Sequence, residues 1–137
     1  MILIDNSVWQ RVGKESVGQT VAKFIEKDSL ATCLQVELER GYSARSPQEY
    51  HQQIEAARAA MVFLAPDSET ADIALRMQAA LFDSGKGRAA GVADIQIAAA
   101  CVRHGVLLIH YDHDFEYLAS VEPALRAQWV VEPGTAD

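Results

Sequence analysis

Short apolar runs that stop at an acidic residue place the strongest constraint on how this chain can fold. Met1-Ile2-Leu3-Ile4 ends at Asp5, Leu30-Ala31-Thr32-Cys33-Leu34 leads by a short step to Glu37, and Val106-Leu107-Leu108-Ile109 is followed by Asp112. Asp94 opens a longer apolar pattern, Ile95-Gln96-Ile97-Ala98-Ala99-Ala100-Cys101-Val102, of helical length. The strand-length runs are too uniformly apolar to keep one face in water, and helical patterns separate them. They predict an α/β fold with a mostly parallel central sheet covered on both sides. In such a sheet the carboxyl ends of the strands form the ligand crevice, so acids remote in sequence converge there. Crowded carboxylates cannot all ionise without a compensating cation, and the pattern therefore predicts a bound divalent metal.

Composition narrows the class. A chain of 137 residues, 50% hydrophobic and 23% charged, supports one globular domain with a real core. No apolar run approaches a membrane span, and Asp5 interrupts the N-terminus too early for a secretory signal, so a cytoplasmic protein is expected. Cys33 and Cys101 sit inside apolar segments and read as buried free thiols. The net charge of −7 argues against a general basic surface for nucleic acid. It leaves room for RNA at a metal-neutralised site and suits a partner with a basic segment.

Local signals divide the chain further. Asn6-Ser7 starts a helix that runs to about Val12, and Ser16 with Gln19 has capping-box spacing for a helix carrying Val17, Val21 and Phe24. Ser46-Pro47-Gln48-Glu49 is a strong start for a helix with Tyr50, Ile54, Ala57 and Met61 on its apolar stripe. A strand over 61–64 follows, then a helix from Pro66-Asp67 with Ile73, Met77 and Leu81 inward. A loop from Asp83 to Gly91 leads to a helix over about 92–104, closed by Gly105. A strand over 106–110, a helix over 115–121 and a strand over 128–131 complete a domain of residues 1–132; residues 133–137 read as a loose tail.

Each acid alone has an ordinary explanation. Asp5 and Asp94 suit helix N-caps, Asp112 a turn, and Glu37 and Glu39 a solvated helix face. Capping does not require the acids to share one sheet edge, and their joint placement is what carries information. Together, Ile2-Leu3-Ile4-Asp5-Asn6-Ser7-Val8-Trp9, Glu37-Leu38-Glu39-Arg40-Gly41, Ala93-Asp94-Ile95-Gln96-Ile97-Ala98-Ala99-Ala100 and Leu108-Ile109-His110-Tyr111-Asp112-His113-Asp114-Phe115 resemble the signature segments of PIN-domain ribonucleases. Their order and spacing are most similar to the VapC toxins of VapBC toxin–antitoxin pairs. The resemblance implies a PIN-like three-layer α/β/α fold and a metal-dependent endoribonuclease. It assigns Asp5, Glu37, Asp94 and Asp112 as catalytic metal-binding acids, Asp114 as an auxiliary metal ligand and Ser7 as a supporting residue. His110 stands where the family often has Thr or Ser. A homodimer and a VapB-type antitoxin partner are further implications.

Oxygen donors without a cysteine–histidine set favour Mg²⁺ or Mn²⁺ over Zn²⁺. For a histidine–carboxylate site built on His110, Asp112, His113 and Asp114, no distant third histidine is an obvious partner. Gly85-Lys86-Gly87-Arg88 lacks the phosphate-loop pattern, which leaves Lys86 and Arg88 as candidate contacts for an RNA backbone, with Arg40 beside Glu37 as another. Ser7 replaces the second aspartate a haloacid-dehalogenase phosphatase would need, and the paired acids and late lysine of a response-regulator receiver are not evident. The remaining alternative is a PIN fold serving only as a non-catalytic binding module.

Overall fold

The computed structural model describes residues 1–137. Five strands, β1 (Ile2–Ile4), β2 (Leu30–Cys33), β3 (Val62–Leu64), β4 (Leu107–His110) and β5 (Ala127–Trp129), form one sheet in the order β3-β2-β1-β4-β5. Every pairing is parallel, with Ile2 opposite both Leu30 and Leu107. From β1 the chain moves outward to β2 and β3, then returns to β4 on the other side of β1. That reversal puts a topological switch point between the carboxyl ends of β1 and β4.

Alternate residues of one strand feed opposite cores, as the pleat dictates. Leu3 joins Ala31, Cys33, Leu108 and Phe115 on one face, whereas Ile2, Ile4 and Ile109 join Val8, Val17 and Val21 on the other. The strand runs are apolar throughout because both faces are covered, the expected three-layer α/β/α arrangement. Each fully buried leucine or isoleucine contributes about 1.5–3 kcal/mol.

Seven helices connect the strands: α1 (Asn6–Trp9), α2 (Glu15–Lys27), α3 (Leu34–Tyr42), α4 (Pro47–Ala60), α5 (Ser68–Asp83), α6 (Val92–His104) and α7 (Asp114–Val121). Ser46 caps α4 by accepting from the Glu49 N–H, and Asp67 with Thr70 forms a reciprocal capping box on α5. Gly105 ends α6 at φ +66°, the left-handed conformation that glycine adopts without steric cost.

Two local expectations give way. Ser16 does not cap α2; the helix begins two residues earlier than that cap would set it, with Lys14 at the cap position and Gln19 donating to Glu15 Oε1. Successive backbone turns over 10–14 already deliver the chain in helical register, ending in the Gly18 N–H to Lys14 O bond. The tail read as loose is docked: Ala136 is buried, and the N–H groups of Gly134 and Ala136 both donate to the Tyr111 hydroxyl. Both thiols are buried and free, as expected.

Candidate acidic site

The acids gather at the carboxyl edge of the sheet because the elements carrying them end or begin there. Asp5 follows β1, its N–H donating to Ile109 O, and its Oδ2 accepts from the Ser7 N–H at 2.9 Å as the N-cap of α1. Asp112 follows β4 and accepts from the Asp114 N–H at 2.9 Å, a turn contact. Asp94 lies in the first turn of α6, where Gly91 and not Asp94 holds the cap position. The ordinary roles of Asp5 and Asp112 thus coexist with their convergence.

Asp94, Asp112 and Asp114 each present a carboxylate oxygen within 4.8 Å of the others. The Gly91 N–H donates to Asp114 Oδ2 at 3.3 Å, tying the α6 start to the α7 start. Burial pushes the Asp94 carboxyl up to about 8, aided by its hydrogen bond with Asp114 and the charges of Asp5, Asp112 and Asp114. Burial also raises Asp5, against the opposing hydrogen bonds from Ser7. Full ionisation of the cluster is therefore unfavourable, and the leading influences on Asp94 all act against its charge.

Glu37 is not part of that trio. It is buried on α3, where Oε1 accepts from Thr32 Oγ1 at 2.6 Å and lies 3.5 Å from Arg40 Nη1. Burial lifts the Cys33 thiol to about 11, and the charges of Asp5 and Glu37, which both reach it, add to the rise. Asp5 Oδ1 and Glu37 Oε2 are buried and have no hydrogen-bond partner. Buried carboxylate oxygens without partners are costly. Asp5 also acts on Asp94, and an unpartnered oxygen of Asp5 beside the trio is what a site built for a cation would show.

Ser7 accepts from the Tyr111 N–H at 2.9 Å through its hydroxyl, bridging the loops after β1 and β4. His110 is buried against Phe115 and Trp129, and its Nδ1 accepts from the Asp112 N–H at 3.2 Å. Burial lowers this imidazole to about 4, so it is neutral and shapes the turn without joining the acid group. His113 is exposed and pairs with Glu116. Arg40 spans Glu37 and the Trp9 ring, Lys86 lies over the Tyr117 ring one turn beyond Asp114, and Arg88 is exposed on its loop.

Three neighbours were not singled out in the sequence. Thr32 is the buried partner of Glu37, and Asn6 Nδ2 donates to Val36 O and Glu39 Oε2. Glu39, read as solvated, adds its charge to those acting on Asp5. A polar residue inside an apolar strand was the available signal for Thr32; Asn6 and Glu39 gave none beyond proximity to the acids.

The PIN domain family model matches residues 2–121, and the chain belongs to that family. Ribonuclease VapC21 of Mycobacterium tuberculosis is 34% identical over 134 residues, which covers 98% of this chain and 96% of that protein. Ribonuclease VapC51 of the same organism is 33% identical over 135 residues, with the same shares. Within the family, the chain is thus of the VapC type. Its fold matches VapBC-1 from nontypeable Haemophilus influenzae at a TM-score of 0.75 and 16% identity, covering 96% of this chain and 100% of that one. VapBC2 from Rickettsia felis, solved on a promoter DNA fragment, matches at 0.74 and 12% identity over 94% and 98% of the two chains. No helix is long and apolar enough to cross a membrane.

Proposed function

We propose that this protein is a Mg²⁺- or Mn²⁺-dependent endoribonuclease, the toxin of a VapBC-type pair, acting in the cytoplasm. The carrying observation is the cluster of Asp94, Asp112 and Asp114 beside Asp5, with Asp94 pushed up to about 8 by burial and neighbouring charge. The ribonuclease names of the relatives and the VapBC complexes among the fold matches support the same reading.

Asp5, Glu37, Asp94, Asp112 and Asp114 would hold the cation, and an all-oxygen donor set fits a hard ion. Bound there, the ion supplies charge compensation and polarises the scissile phosphodiester. Ser7 and His110 fix the two loops that present Asp5 and Asp112. Arg40, Lys86 and Arg88 hold the RNA backbone at the rim, and a carboxylate free of the metal takes the proton from the attacking water. The products carry a 5′-phosphate and a 3′-hydroxyl.

A cognate VapB-type antitoxin would silence the toxin by placing a basic side chain in the acidic pocket. An open groove of about 860 Å³, whose lining includes Trp9, Leu38, Tyr42 and Met61 with Asn6 and Arg40, suits its apolar segment. Exposed Leu75, Phe82 and Val92 suit burial against a second copy in a homodimer.

The test is end-mapping of RNA incubated with wild-type protein, Asp5→Asn and Asp94→Asn in Mg²⁺ and in Mn²⁺. Cleavage should depend on added metal and vanish in both variants while their circular dichroism stays native. Full activity in either variant would overturn the assignment, and an inert wild type that binds RNA or antitoxin would point to a binding module.

A further inference from the structure

The Tyr111 side chain stands between the acidic loops and the last residues of the chain. Its hydroxyl accepts from the N–H groups of Gly134 and Ala136, both at 2.9 Å, and donates to Asp137 Oδ1 at 2.8 Å. One donor and two acceptor positions are all a phenol has, and a single segment takes all three. Arg11 clamps the same unit, its guanidinium carbon 4.7 Å from the ring centroid, with Nε donating to Ala136 O and Nη1 to Ser7 O. Trp129 packs edge-on against the ring at 5.3 Å. The backbone of Tyr111 belongs to the acidic site: its N–H donates to Ser7 Oγ, the Ser7 N–H donates to Asp5 Oδ2, and Asp112 is the next residue.

We infer that Tyr111, strapped by residues 134–137 and Arg11, is a positioning residue that fixes the Asp5–Ser7 and Asp112–Asp114 loops relative to each other. Its catalytic consequence rests on the proposed nuclease activity; its structural consequence does not. The strap acts through Ser7 and the backbone of Asp112, so it sets where two carboxylates point without touching a substrate. Reacting groups tolerate little displacement, and an error of about 1 Å costs up to about 10²-fold in rate.

Tyr111→Phe keeps the ring under Arg11 and removes only the hydroxyl. Amide hydrogen exchange at Tyr111 and Asp114 should become about tenfold faster, with Leu3 and Leu108 in the sheet unchanged. The kcat for RNA cleavage should fall about tenfold with KM nearly constant, because the loss concerns geometry and not binding. Arg11→Met should show the same pattern more weakly. Gly105→Ala, which strains the chain at the opposite edge of the sheet, serves as the control and should lower stability without moving kcat or loop exchange. Loop amides that exchange as in wild type, an unchanged kcat in Tyr111→Phe, or an equal kcat loss in Gly105→Ala would each overturn the inference. A wild-type protein that cleaves no RNA would instead remove the nuclease reading, and the exchange pattern alone would then decide the strap.

Discussion

Replacing Asp94 with asparagine is expected to stabilise the protein while making it inert, and the size of the gain follows from the crowding of the acids. Burial, the hydrogen bond with Asp114 and the charges of Asp5, Asp112 and Asp114 move this carboxyl from its ordinary 3.8 up to about 8. An acid raised on folding keeps a proton that the unfolded chain releases. The contribution of this group is fully present below pH 3.8 and is lost as pH rises through about 8, where the folded carboxyl ionises. Taken whole, that difference would be worth several kcal/mol. Asp94 is only partly buried, and solvent screening brings the figure to about 1–2 kcal/mol.

With divalent ions chelated, Asp94→Asn should match wild type near pH 4 and exceed it by about 1–2 kcal/mol near pH 8.5, read from urea-unfolding midpoints. Added Mg²⁺ should raise the wild-type midpoint and leave the variant unmoved, since only a ligand bound by the folded state stabilises it. A variant no more stable than wild type near pH 8.5 in chelator would refute the crowding argument.

Thr32→Val removes the 2.6 Å bond to Glu37, whose second oxygen already lacks a partner, and should lower stability by about 1.5–3 kcal/mol in urea unfolding. An unchanged midpoint would mean that Glu37 does not depend on that hydroxyl. Gly105→Ala places a Cβ on a backbone at φ +66° and should cost about 1 kcal/mol, measured as a drop in Tm. Burial pushes the Cys33 thiol up to about 11 and the Cys101 thiol well above its ordinary value, so neither should react with iodoacetamide at neutral pH until the protein unfolds.

The layered sheet was legible because its signal is local and redundant. In β1 and β4 nearly every residue is apolar, so the reading survives without knowing which face Leu3 or Ile4 serves. Asp112 and Asp114 lie two residues apart where β4 passes into α7, and Asp5 and Asp94 lie at element boundaries, so their shared edge followed from the fold class alone. The features that escaped depend on partners brought near only by folding. Asn6 finds Val36 O from 30 residues away, and the tail finds a hydroxyl at Tyr111 that no pattern around Pro133-Gly134 announces. Ser16 shows the opposite failure: a good local capping pattern lost to a backbone turn that had already started the helix.

The central position of β1 has a consequence for the timing of assembly. Its β4 neighbour and the Tyr111 amide that reaches Ser7, 104 residues further on, are synthesised long after it. Until they leave the ribosome, Asp5 waits on an incomplete sheet with its companion acids missing, and parallel pairing over such separations is slow to form. A growing polypeptide of this design carries no finished pocket, so whatever the acids do begins only once β4 and the turn after it have folded against β1.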